Sequence, residues 1–103
     1  MNRLITIYWR DIPSHVLARR GRKTVLKRHL DSRFERAIDR AARRAGSGSS
    51  KQYFEDWRRE SQDCETDLEE AVAEEVARLE ALFPPRELER VIRASGVLLR
   101  EDR

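Results

Sequence analysis

The chain has 103 residues, a formal net charge of +3, 39% hydrophobic and 40% charged residues, and one cysteine. That length holds one domain with one modest core, so residues 1–103 are read as a single domain. A lone thiol excludes an intramolecular disulfide and fits a reducing cytoplasm; no apolar run is long enough for a signal core or a membrane span, so neither is expected.

The first run, "LITIYWRDIP", alternates with period 2 and predicts a strand over 3–10. Ile5, Ile7 and Trp9 share one side; Leu4, Thr6 and Tyr8 share the other. Both sides are bulky, so the strand is expected inside a sheet, with Ile5, Ile7 and Trp9 meeting the helices. Pro13 is expected to stop the pairing and start a turn. "HVLARRGRKTVLKRHL" then reads as a hairpin, with strands at 15–20 and 23–29 and Gly21 at the tip.

Asp31 or Ser32 opens a helix over 31–45, with Glu35 placed as in a capping box and Gly46 as its stop. "GSGSS" is a flexible connection. Ser50 caps a short helix over 50–60 that carries Tyr53, Phe54 and Trp57. A long helix over 66–83 has an apolar stripe and a glutamate face. Pro85 opens a fourth helix over 85–95, and Val97–Leu99 is a candidate last strand. Strands followed by helices give an α+β fold: a small antiparallel sheet of three or four strands, N-terminal, packed on four C-terminal helices.

Charge divides the chain. Residues 1–46 hold 13 Arg and Lys against 4 Asp and Glu, a balance of +9; residues 47–103 hold 9 against 15, a balance of −6. The basic hairpin half and the acidic helical half either neutralise each other or leave a positive face for an anionic partner. Arg19, Arg20, Arg22, Lys23, Lys27 and Arg28 crowd the hairpin. These six are the candidate anion- or nucleic-acid-binding residues, supplying the salt-dependent phosphate attraction. Edge protection explains the same charges without a ligand. Arg33, Arg36, Arg40, Arg43 and Arg44 extend the patch or pair with the glutamates of the third helix.

Reaction chemistry finds little support. His15, His29 and Cys64 have no metal-ligand spacing, and two histidines facing across a hairpin do not make a zinc site. "GSGSS" follows a helix and lacks the Lys-Ser/Thr of a phosphate loop. Cys64 lies between Asp63 and Glu65, which disfavour a thiolate. Asp11, Glu35 and Asp39 are candidate carboxylates, but such residues on a helix are usually solvated. Ser14 and His15 are adjacent, which on a strand sends their side chains to opposite faces. No catalytic residue, metal or cofactor is therefore expected, and the chain is read as a non-catalytic interaction module. Trp9, Arg10, Asp11 and Trp57 are its candidate partner-binding residues, a protein its expected partner, nucleic acid the alternative, and no membrane contact is expected.

"LITIYWRDIP" with "ARRGRKTVLKRHL", "RFERAIDRAARRAG" and "YFEDWRR" resembles the small bacterial proteins of the virulence factor domain family, whose segments also occur in larger conserved-virulence-factor proteins. The resemblance runs from about Leu4 to Trp57 and more loosely through the third helix. It implies no reaction and transfers no catalytic residues. It does imply an accessory subunit beside corrinoid- and folate-linked methyl-transfer enzymes.

Overall fold

The computed structural model describes residues 2–46 and 51–98. Strands β1 (Asn2–Trp9), β2 (Ile12–Arg20) and β3 (Lys23–His29) lead into helix α1 (Ser32–Arg44); short helix α2 (Lys51–Glu55), strand β4 (Trp57–Asp63) and helices α3 (Leu68–Leu82) and α4 (Pro85–Arg93) follow. The sheet is antiparallel throughout, in the order β3-β2-β1-β4. The α+β architecture read from the sequence is the one observed.

β1 is internal, as its two apolar faces predict, but its second neighbour is β4 rather than 97–99. Val97 and Leu98 are not in a strand, and Leu99 lies outside the described residues. The helix expected over 50–60 stops at Glu55, and Trp57–Asp63 pairs along β1 from Trp9↔Trp57 to Arg3↔Asp63. This polar segment has no period-2 apolar signal. Its strand form is imposed by the open backbone edge of β1, a tertiary effect that outweighs local propensity.

Pro13 does not end the pairing. The chain turns at Arg10 and Asp11, and Ile12 and Pro13 already pair with Trp9 and Tyr8. The register slips between Ile7/His15 and Tyr8/Pro13, leaving Ser14 as the extra residue of a bulge. A proline is tolerated beside such a bulge because the ladder is broken there anyway.

The helices cover the face of Leu4 and Thr6, not that of Ile5 and Ile7. Leu4, Val16 and Ala18 join Leu68, Val72 and Leu79 in one buried cluster. The Thr6 hydroxyl donates to buried Glu75 at 3.3 Å, and Arg78 holds the same carboxylate through two bonds of 2.7 and 3.0 Å. Ile5 is buried but stands outside that cluster. Trp9 and Ile12, at the bulged end of the hairpin, do belong to it and are 0% exposed.

Asp31, not Ser32, caps α1 and accepts from the Arg33 amide at 3.0 Å. The reciprocal carboxylate of the expected capping box comes from α3: Glu80 accepts the Asp31 amide at 2.8 Å. Arg33 in turn donates to the Glu80 and Phe83 carbonyls at the C-terminal end of α3, where a cation is favoured. α1 and α4 are joined by the paired Arg40–Glu89 contacts of 2.8 and 3.1 Å.

Candidate functional site

Trp9, Arg10 and Asp11 occupy the two-residue turn between β1 and β2 and its approach. Arg10 has a φ of 54°, the left-handed conformation this turn demands and which usually falls to Gly or Asn. Its hydrogen bonds hold it there. The Arg10 amide donates to the Asp56 carbonyl at 3.0 Å, its Nε to the Asp56 carboxylate at 3.0 Å and its Nη1 to the Ser95 carbonyl at 2.9 Å. The Asp11 amide donates to the Gly96 carbonyl at 2.8 Å, and the Asp11 carboxylate accepts from the Leu98 amide at 2.7 Å and from Arg58 at 3.2 Å. The Trp9 indole donates to the Tyr53 carbonyl at 3.0 Å.

These contacts correct the reading of Trp9-Arg10-Asp11 as a surface presented to a partner. Trp9 is wholly buried and cannot touch a partner in the folded chain. Arg10 and Asp11 are mostly buried, and their charges are spent on Asp56, Arg58 and the segment after α4. The three residues form an internal clasp that fastens α2, β4 and residues 95–98 to the end of the hairpin.

Trp57 has a different setting. It is half-buried and lines an open groove of about 470 Å³ with Tyr53, Ser14, His29, Ile38, Arg36, Glu35 and Asp39. Tyr53 packs edge-on against both Trp57 and Phe54, with ring centres 6.0 and 5.3 Å apart. Phe54 is 71% exposed, more than any other large hydrophobic side chain described. Glu35 and Asp39 are one turn apart on α1; Asp39 is paired with Arg43, whereas Glu35 has no ion pair among the described residues. Sequence reasoning placed the aromatic trio on one helix and missed the groove, because Trp57 enters it from β4 and Glu35 from α1.

Beside the groove, His15 and His29 stack across β2 and β3 with ring centres 4.9 Å apart, as the hairpin register demands. Ser14 and His15 are not sent apart: the bulge brings the Ser14 hydroxyl to 2.9 Å from His15 Nδ1. Burial, then His29 and Lys27, push His15 down to about 4. Such a group is a weak base at neutral pH, and no carboxylate is among the groups acting on it. Among the described residues no three His, Cys, Asp or Glu side chains converge as metal ligands. Cys64 is half-buried, with its sulfur 3.7 Å from Thr66.

The two sets of basic residues separate. On α1, Arg33, Arg40, Arg43 and Arg44 are bonded to Asp31, Glu89, Asp39 and the Arg93 carbonyl, and Arg36 to the Ser32 hydroxyl. On the hairpin, none of Arg19, Arg20, Arg22, Lys23, Lys27 or Arg28 is ion-paired among the described residues. Of the five α1 arginines only Arg40 meets a carboxylate of the acidic half, Glu89 on α4; among the described residues none pairs with the α3 glutamate carboxylates, and the hairpin stays charged.

The fold and groove define a small α+β domain: a four-stranded sheet, helices on one face, and a cleft where α1, α2 and β4 meet. The sequence pattern described as "Virulence factor" matches residues 7–92, and the chain belongs to that family. No curated protein and no solved structure matches it. No described helix is long and apolar enough to cross a membrane.

Gly96 tests the clasp. Its φ is +92°, and a Cβ there would lie 2.8 Å from the Trp9 ring. Gly96→Ala is expected to cost more than about 2 kcal/mol in urea denaturation. Gly21→Ala, at the open hairpin tip with φ +63°, is expected to cost about 1 kcal/mol.

His15 tests the sign of a pH effect. Its folded pKa of about 4 lies below the ordinary 6.5, so the unfolded chain binds the extra proton between those values. Its contribution is nil above 6.5 and increasingly destabilising as pH falls toward 4. Denaturation midpoints of His15→Gln should fall less steeply with acid over that window than those of the parent. An unchanged slope would contradict this assignment.

Proposed function

We propose that this domain is a non-catalytic interaction module, an accessory subunit that grips a protein partner through the groove of Tyr53, Trp57 and Glu35. The observation that carries this reading is the aromatic wall ending in Phe54, which leaves a large ring in water beside a ready-made cleft. Isolated exposed apolar residues are ordinary, but an aromatic cluster edging a cleft is the usual composition of an interface anchor. The occupant that fits is a segment with an apolar side chain to lie on Tyr53 and Phe54 and a Lys or Arg to meet Glu35. Trp9, Arg10 and Asp11 support the site from beneath, since Trp9 holds the Tyr53 carbonyl and Arg10 holds Asp56. The accessory role implied by the family resemblance makes corrinoid- and folate-linked methyl-transfer enzymes the first partners to try.

Affinity capture from the native host at moderate salt, followed by calorimetry with the recovered protein, tests this reading. The expected result is a stoichiometric partner whose binding is weakened by about tenfold or more in Phe54→Ala, a substitution at an exposed position that leaves the fold intact. Undiminished binding by Phe54→Ala and Glu35→Lys would rule the groove out.

The unpaired hairpin cations favour a second reading, nucleic-acid binding. Six phosphate contacts imply a log–log salt slope of roughly −5 on duplex DNA. Anisotropy titrations against duplex and single-stranded probes should show that slope, flattening by about one for each hairpin charge removed; no binding at low salt would eliminate it.

A further inference from the structure

The face of the sheet turned away from α3 follows from the strand register, because residues paired across antiparallel strands point to the same side. Ile5 pairs with Leu17 and Ser61, Ile7 with His15 and Arg59, Arg3 with Arg19 and Asp63, and Leu17 with Lys27. The centre of this face is therefore Ile5, Ile7 and Leu17, and its border is Arg3, Arg19, Lys27 and Arg59. Ile5 is 3% exposed although it lies outside the helix-side core, so the apolar area this face offers is that of the half-buried Ile7 and Leu17.

Two features of this border are unfavourable in the chain alone. Arg3 and Arg19 stand directly opposite each other, and like charges in that relation destabilise a sheet. The Arg19 Nε is buried without an acceptor, the one such side-chain atom among the described residues, and an unmade bond of this kind is costly. Arg3 donates to the Ser61 hydroxyl at 2.9 Å, yet no ion pair among the described residues joins any of the four cations to a carboxylate, Asp63 included. A carboxylate between Arg3 and Arg19 would relieve both.

We propose that this sheet face docks an acidic amphipathic segment of a protein partner, with its apolar side chains over Ile7 and Leu17 and its carboxylates against Arg3, Arg19, Lys27 and Arg59. The aliphatic centre distinguishes this occupant from nucleic acid, whose phosphates would meet the cations but whose bases stack on aromatic side chains. The half-buried state of Ile7 and Leu17 distinguishes it from a bilayer-binding surface, which enters by apolar side chains that protrude. The surface runs toward the groove, whose Trp57 and His29 pair with Trp9 and His15 on this same side, but it uses different residues, and Glu35→Lys tells the two sites apart.

The test titrates the isotopically labelled full chain with a synthetic helical peptide of alternating Leu and Glu faces. Polyglutamate, a DNA duplex and phosphatidylserine vesicles are run in parallel. The expected result is peptide-induced amide shifts centred on Ile5, Ile7, Leu17 and Arg59, with binding about tenfold weaker in Arg19→Gln and in Arg59→Glu and unchanged in Glu35→Lys. Arg19→Gln keeps most of the side-chain stem and removes the opposed charge, so it should also raise the thermal midpoint of the free protein. A loss of binding coupled to a gain of stability separates a docking residue from a structural one. The proposal is overturned if the peptide does not bind, if polyglutamate, DNA or vesicles bind at the same face as tightly as the peptide, or if Arg19→Gln lowers the midpoint.

Discussion

The guanidinium of Arg10 is the contact on which the arrangement depends. It is held in a left-handed turn, stacks 4.9 Å from the Trp9 ring, and reaches both Asp56 and the Ser95 carbonyl. A conformation that costs an L-residue energy is kept because two separate stretches of chain, residues 56–58 and Ser95, bond to it. β4 is presented to the open edge of β1, and α2 and residues 95–98 are tied to the hairpin end. The groove exists because these pieces are brought together there.

The charge pattern has a similar logic. A chain with 22 basic and 19 acidic residues must decide which charges it satisfies internally. Pairs on α1 and α4 lie at exposed positions and contribute little to stability. The Arg33 bonds to the end of α3 are better shielded and fix the angle between the two helices. Within the sheet, among the described residues, opposed cations stay unmatched, at Arg3 and Arg19 and again at Arg20 and Lys23.

Period-2 alternation in Leu4–Trp9, the glycine at 21, Asp31 as a cap and Pro85 at a helix start were enough to read the sheet, the hairpin and three helices from the sequence. β4 was not legible, because "WRRESQD" is polar on both sides and becomes a strand only when β1 offers it a partner. The bulge at Ser14 was hidden for a related reason: an extra residue in a ladder is defined by the strand opposite. Missing it placed Ser14 and His15 apart. In the site, Trp57 was read as a partner-binding candidate beside Trp9, Arg10 and Asp11, and the groove itself was not legible, since its other walls, Glu35 and Ser14, come from elements with no sequence proximity to Trp57.

The span of the clasp has a bearing on how the chain reaches this state. The three N-terminal strands are joined by tight turns and can zip from local contacts. The bonds from Arg10 to Ser95 and from Asp11 to Leu98 join residues 85 and 87 positions apart. Closing such distant contacts carries the largest loop entropy and comes after the local hairpins. On the ribosome, Asp11 has no Leu98 amide to accept from until residue 98 has emerged. Until then the indole of Trp9 and the edge of β1 lack their covers, and the nascent domain is at its most exposed to aggregation.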